Sequence, residues 1–256
     1  MIKFWDVTIP ELTGDQERKA YIYVPDSYQR DETKRYPVLY MFDGHNVFFD
    51  SHATYGKCWG MKEYLEETET ELIVAAVECN HSADNGRLRE YSPFDFRDPE
   101  FGSFHGQGDI TLQWFIQTFK PYIDTHYPTL SDREYTYIGG SSMGGLMSLY
   151  AILAYNTVFS GAICMSPSIW VAPERLTQLA RKSRLSPETD IYLDCGELEA
   201  ISQRDKRQQF FRLVSILQNR NICVTSRIVP GGTHCEACWE KQLPFAIPAI
   251  LYRTQQ

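Results

Sequence analysis

The chain has 256 residues, a formal net charge of −8 and a sequence pI near 5.3. This length suits one α/β domain spanning residues 1–256, because a domain of this size buries roughly 75% of the surface that its unfolded chain exposes. The acidic balance argues against nucleic acid or an anionic membrane as a partner, since phosphate groups are bound by clustered lysine and arginine.

The N-terminal segment lacks the basic and apolar regions of a secretory signal, and the sequence has no apolar stretch long enough to span a membrane. The seven cysteines are an odd number without the spacing of a disulfide scaffold. We therefore expect a cytoplasmic protein, and the oligomeric state stays open.

Apolar runs and helical periodicities alternate along the chain, which is typical of a mostly parallel sheet with helices on both faces. Eight strands are predicted at residues 2–9, 18–25, 36–42, 72–77, 134–139, 161–165, 190–195 and 222–229. Helices are predicted at residues 59–68, 108–126, 143–155, 173–182, 202–219 and 236–251.

The third predicted strand ends at Asp43, Gly44 and His45. Binding residues gather at the carboxyl ends of parallel strands, although a plain turn is the alternative reading of this sequence. Beyond the fourth strand, the segment from Asn80 to Gly108 is long, polar and rich in glycine and aromatic residues. Loops of this length are commonly functional, so we expect this segment to overhang the active face.

The residues Gly140-Ser141-Ser142-Met143-Gly144 follow an apolar strand and begin a helix. This is the context in which a G-x-S-x-G sequence forms a nucleophile elbow, a sharp turn that exposes the serine hydroxyl above the sheet. Only Ser142 has glycine both two residues before and two residues after it, so we predict Ser142 as the nucleophile. A flexible turn without catalytic function is the alternative.

A serine nucleophile needs a base and a carboxylate that orients the base. In α/β-hydrolases the acid follows the serine in the chain, and the histidine base follows the acid. The strand at 190–195 runs into three acidic residues, Asp194, Glu197 and Glu199. Asp194 is assigned to the strand itself, and Glu197 and Glu199 to the loop after it. We favour Glu199 as the acid and keep the other two as alternatives.

The base is predicted to be His234, which lies in a Gly-Gly loop after the last predicted strand. It is one of six histidines, the others being His45, His52, His81, His105 and His126. Cys235 and Cys238 follow directly as a C-x-x-C pair. The sequence has no second pair at the spacing of a zinc site, so we expect no metal or redox function there.

These motifs together resemble the putative-esterase family of α/β-hydrolases, which includes feruloyl and acetylxylan esterases, siderophore esterases and mycolyltransferases. Residues 140–145 match its G-x-S-M-G-G sequence, and residues 231–234 match its G-G-x-H sequence. Residues 87–93 resemble the R-x-x-E-Y-x-P stretch of its siderophore-esterase-like branch, which we expect to support the substrate mouth. An Arg–Glu pair that holds the loop is the alternative. The resemblance implies an α/β-hydrolase fold with a central, mostly parallel sheet of about eight strands.

The resemblance also implies site residues. The acid follows a glycine by three positions, which corresponds to Glu199, although many members have aspartate there. The backbone N–H groups of Met143 and His45 are the expected oxyanion donors. Asp43 and Arg87 are the expected substrate-binding residues in these segments, and Trp170 is a third, because it lies near the end of a predicted strand. For Trp170, as for Trp59, packing is the alternative to stacking on a sugar or an aromatic acid.

The predicted activity is that of a serine esterase acting on a small-molecule ester, through a Ser-His-Glu triad and an acyl-enzyme, without metal or cofactor. Esters of carbohydrates, hydroxycinnamates or siderophores are the expected substrates. Two alternatives are an acyltransferase that uses the same triad and a non-catalytic binding module of the same fold.

Overall fold

A computed structural model describes the backbone of residues 1–202 and 204–253 and the side chains of these residues except 200–202 and 204. The strands are β1 (Ile2–Thr8), β2 (Glu17–Tyr23), β3 (Val38–Met41), β4 (Ile73–Val77), β5 (Phe96–Asp98), β6 (Gly102–Phe104), β7 (Thr136–Ser141), β8 (Gly161–Met165), β9 (Asp190–Gly196) and β10 (Cys223–Val229).

Within this described part of the chain, eight strands form one sheet in the order β1-β2-β4-β3-β7-β8-β9-β10. β1 and β2 pair antiparallel, as do β2 and β4, and every pair from β4 to β10 is parallel. All eight predicted strands and the mostly parallel sheet are confirmed. The antiparallel hairpin of β5 and β6 lies outside this sheet and was not predicted.

The helices are α1 (Pro10–Thr13), α2 (Met61–Glu67), α3 (Gly86–Glu90), α4 (Gly108–Trp114), α5 (Lys120–His126), α6 (Met143–Ala154), α7 (Pro173–Lys182), α8 (Glu197–Ser202), α9 (Arg204–Gln218), α10 (Glu236–Glu240) and α11 (Leu243–Leu251). A π-helical turn, Phe115–Phe119, joins α4 to α5. Pro121 follows this turn and has no N–H to donate to the preceding turn, which favours the wider local winding.

The helix predicted at residues 236–251 is wrong as a single element, because α10 and α11 are separate. Pro244 lies in the first turn of α11. In a continuous helix its ring would clash with the carbonyl of Glu240, four residues earlier. Most of the other predicted helices agree with the structure, although α1, α3 and α8 were not predicted.

The sheet is buried on both faces, as its central strands illustrate. In β3, Val38 and Tyr40 belong to the apolar cluster on one face, and Leu39 and Met41 belong to the cluster on the other. Successive side chains of a strand point to opposite faces, so a strand covered by helices on both sides must be apolar throughout. Because the strands from β4 to β10 in the sheet order are parallel, their carboxyl ends lie together at one end of the sheet.

Candidate active site

Ser142 lies in a strained turn between β7 and α6. Its backbone has φ 57° and ψ −118°, a conformation that L-residues rarely adopt. A Cβ placed on Gly140 would lie 2.7 Å from the backbone carbon of Gly144, so the turn has room only for glycine at Gly140. The G-x-S-x-G sequence thus folds as the strand–turn–helix that the motif requires.

Backbone hydrogen bonds fix the position of Ser142. Its N–H donates to the carbonyl oxygen of Met165 at 2.9 Å, and its own carbonyl accepts from the N–H of Ser168 at 3.0 Å. Among the described residues, the hydrogen-bond partner of Ser142 Oγ is Ser168 Oγ, 3.5 Å away. A contact this long leaves the hydroxyl available to a base when substrate binds.

Glu199 and His234 form a short hydrogen bond. Glu199 Oε2 lies 2.6 Å from His234 Nδ1, and Glu199 Oε1 accepts from Ser166 Oγ at 2.8 Å and from the Gly196 N–H at 3.1 Å. Burial raises the pKa of Glu199, but the hydrogen bonds and the charge of His234 outweigh this effect and hold that pKa below its usual value. Glu199 is thus held as a carboxylate against the imidazole. Because it occupies Nδ1, Nε2 is the ring nitrogen that remains available to a second partner.

The two alternative acids have other partners. Glu197 Oε2 accepts from the Gly231 N–H at 2.9 Å. Asp194 is buried and accepts from the Ser166 N–H at 2.9 Å, and burial raises its pKa to about 7. The prediction that Asp194 belongs to the strand is confirmed. The prediction of a loop at Glu197 and Glu199 is wrong, because α8 begins at Glu197.

The two predicted oxyanion donors lie on neighbouring elements. Met143 is the first residue of α6, so its N–H has no acceptor within the helix. His45 lies in the short turn Gly44–Asn46 after β3. A Cβ placed on Gly144 would lie 3.0 Å from Phe42 Cβ, so the end of β3 packs against the first turn of α6.

Ser142, Met143, Glu199 and His234 share one pocket of ≈ 450 Å³, within the usual size range of small-molecule sites. Arg87 and Trp170, both predicted to bind substrate, also line it, together with Lys206. Lys206 Nζ lies 5.4 Å from the centre of the Trp170 ring, and Trp170 packs edge-on against Phe96 of the hairpin.

Asp43 lies buried behind this pocket instead of lining it. Its two carboxylate oxygens accept from Arg87 Nε and Nη2, each at 2.7 Å. Burial raises the pKa of Asp43, but the charge and the hydrogen bonds of Arg87 outweigh it and lower that pKa overall. The geometry makes Asp43 the residue that orients Arg87 at the pocket wall.

Glu90 and Tyr91 of the R-x-x-E-Y-x-P stretch anchor the segment from Asn80 to Gly108. Glu90 is buried and pairs with Arg18 at 2.6 Å rather than with Arg87. Tyr91 OH accepts from the backbone N–H of Asp43 at 3.1 Å. These contacts tie α3 to β2 and to the end of β3, which places Arg87 and Leu88 at the pocket.

Two further features were not found from the sequence. Ser166, which has φ 41°, donates to Glu199 and accepts from Trp239 Nε1 at 3.2 Å. Lys206 lies on α9, far from any motif. Trp59 is 2% exposed and packs against Trp239, which agrees with the packing alternative. None of the described helices is long and apolar enough to cross a membrane.

A protein-family model and a curated protein match most of this chain. The model of the family described as "Putative esterase" matches residues 12–250. The uncharacterized protein YbbA of Bacillus subtilis (strain 168) is 26% identical over 185 residues, which make up 71% of this chain and 69% of that protein.

Several solved structures share the fold. A ferulic acid esterase superposes with a TM-score of 0.70 at 15% identity, covering 98% of this chain and 96% of that chain. The enterobactin esterase FES from Shigella flexneri, solved with enterobactin, gives 0.76 at 18% identity and covers 99% of this chain and 59% of that chain. The siderophore hydrolase EstA from Aspergillus nidulans gives 0.68 at 18% identity, covering 95% and 93%.

Proposed function

The chain belongs to the putative-esterase family of carboxylic ester hydrolases, and we propose that it cleaves its ester with Ser142, His234 and Glu199 through an acyl-enzyme. One observation carries the proposal. The Glu199–His234 hydrogen bond of 2.6 Å lies in the same pocket as Ser142, whose backbone has the strained geometry of a nucleophile elbow.

In the proposed mechanism, Ser142 Oγ attacks the ester carbonyl while His234 Nε2 takes its proton. Glu199 stabilises the imidazolium that forms. The backbone N–H groups of Met143 and His45 donate to the oxyanion. His234 then protonates the departing alkoxide, and a water molecule activated by the same imidazole releases the acid and restores the Ser142 hydroxyl.

We propose esters of carbohydrates, hydroxycinnamates or siderophores as the substrates. Arg87, Lys206 and Trp170 line the pocket and together offer cationic groups and an aromatic ring. Such a surface suits an acyl or alcohol part that carries an aromatic ring with hydroxyl or anionic substituents. Solved structures of this fold include proteins named for ferulic acid and for siderophores.

Hydrolysis of an ester panel by the wild type and by Ser142→Ala tests this function. The panel contains p-nitrophenyl acetate, methyl ferulate, acetylated xylan oligosaccharides and a tri-serine lactone siderophore. We expect the wild type to cleave at least one ester, and Ser142→Ala to reduce its turnover by at least about 10⁴-fold. Ser141→Ala is the matched control and should keep activity within about tenfold. Equal turnover by Ser142→Ala and the wild type would reject Ser142 as the nucleophile.

A further inference from the structure

Three potential metal ligands outside the pocket lie close together. His45 follows β3, and Cys79 and His81 follow β4, the neighbouring parallel strand. One ligand atom from each of the three residues lies within 4.8 Å of the other two. None of the three side chains lines the pocket that contains Ser142.

The His45 ring carries a buried nitrogen atom without a partner. Its Nε2 lies 3.0 Å from Thr54 Oγ1, whereas its Nδ1 is buried and has no hydrogen-bond partner among the described residues. The residue is 5% exposed. An unpaired buried polar atom costs roughly 1–3 kcal/mol, so a ligand that occupied Nδ1 would remove this penalty.

The spacing is close to that of a tetrahedral metal site. Cys79 Sγ lies 3.9 Å from His81 Nδ1, and the rings of His45 and His81 meet edge to face with centroids 4.6 Å apart. Zinc–sulfur and zinc–nitrogen bonds of ordinary length place sulfur and nitrogen ligands about 3.5 Å apart. A small rotation of the exposed His81 side chain would close this difference.

We propose that His45 Nδ1, Cys79 Sγ and a ring nitrogen of His81 bind a thiophilic divalent metal ion, with Zn²⁺ as the expected ion. Two imidazoles and one thiolate are a ligand set that Zn²⁺ favours. Because His81 lies at the surface, the fourth position is left for water. His45 belongs to the turn that carries the proposed oxyanion donor, and none of the three side chains lines the pocket. The metal therefore stabilises this turn and takes no part in ester cleavage.

The charges around the cluster bear on this binding. At His45, burial is the largest effect and opposes a positive charge, as do His81 and Arg87. The carboxylates of Asp43 and Glu78 favour a positive charge there. Burial, and next the charge of Asp43, raise the pKa of the Cys79 thiol well above its usual value. Metal binding replaces the thiol proton of Cys79, and that proton is released to solvent.

Metal binding by the full chain, after treatment with a chelator, tests the proposal. Zn²⁺ is titrated by calorimetry, and Co²⁺ serves as a spectroscopic probe because thiolate ligation gives a charge-transfer band. We expect one ion per chain, a Co²⁺–thiolate band that is lost in Cys79→Ser, and an affinity for Zn²⁺ that falls by more than about tenfold in His81→Ala.

Two controls make the outcome specific. His81 is exposed, so His81→Ala reports on ligation even where Cys79→Ser fails to fold. The double variant Cys235→Ser with Cys238→Ser removes the C-x-x-C pair and should bind Zn²⁺ like the wild type. Absence of binding, equal binding by His81→Ala and the wild type, or loss of binding in the double variant would each overturn the site. None of these readouts depends on esterase activity.

Discussion

Glu197 and Glu199 are two residues apart in α8, yet they bind different loop atoms. Residues two apart in a helix do not share a face. Glu199 thus reaches the His234 ring and Ser166, while Glu197 reaches the Gly231 backbone. At the scale of single residues, the helical backbone at this point separates a carboxylate that orients the base from one that supports the loop.

Replacing each glutamate in turn checks this assignment. Glu199→Gln removes the charge that stabilises the imidazolium of His234, so we expect kcat to fall by roughly 10³–10⁴-fold. Glu197→Gln keeps a carbonyl oxygen that can accept from Gly231, and its kcat should stay within about tenfold of the wild type. Steady-state kinetics on the best ester of the panel gives both values. Equal losses in the two variants, or a loss in Glu197→Gln alone, would be evidence against Glu199 as the acid.

At the scale of elements, the active site depends on how tightly strands and helices approach each other. In the β7–α6 turn, a Cβ on Gly140 or on Gly144 would lie within 3.0 Å of a neighbouring atom. At the end of β9, a Cβ placed on Gly196 would lie 2.6 Å from Glu199 Oε1. Gly196 ends β9 and donates its N–H to that same oxygen atom. The glycines near the predicted nucleophile and acid therefore allow close packing of neighbouring atoms as well as the sharp turn of the backbone.

Gly140→Ala tests the close approach in the β7–α6 turn. The added methyl group would meet the Gly144 backbone, which has no flexible side chain to move aside. We expect the free energy of unfolding in urea to fall by about 2–4 kcal/mol. Gly56→Ala is the matched control, because Gly56 has a positive φ of 71° and nothing within 4 Å of a Cβ. It should cost only about 1–2 kcal/mol, so an equal loss in both variants would argue against the steric explanation.

At the scale of the whole molecule, two buried carboxyl groups link stability to pH. Burial raises the pKa of Asp194 to about 7, and burial also raises the pKa of Glu90 to about 7 despite its pairing with Arg18. In the unfolded chain such groups titrate near about 4. Between these values the folded protein binds more protons than the unfolded chain, so stability decreases as the pH rises.

We therefore expect the free energy of unfolding to decline from about pH 5 to about pH 7 and then to level off. Asp194→Asn is neutral at every pH, so the decline should be shallower in this variant. Replacing the exposed Glu100 by Gln is the control and should leave the slope unchanged. Urea denaturation at several pH values measures the slopes, and parallel curves for wild type and Asp194→Asn would contradict the prediction. Within this range the lowered pKa of buried His45 partly opposes the decline, and below it Asp43 and Glu199 do so, because their pKa values are also lowered.

The sequence by itself determined the eight strands of the sheet and the strand–turn–helix at Ser142. Both depend on local patterns, the run of apolar residues in a buried strand and the glycines of a sharp turn. Chain order then pointed to His234 and to a small group of acids. The break between α10 and α11 could also have been predicted from the sequence, because Pro244 favours the start of a new helix.

The tertiary structure alone decided which side chains meet. It placed Asp43 behind Arg87, brought Ser166 to Glu199 and set Lys206 beside Trp170. It also joined His45 to Cys79, because β3 and β4 are neighbours in the sheet although they are far apart in the chain. Such contacts depend on strand order and on which face each helix turns inward, and neither is written in the residues around any one of these positions.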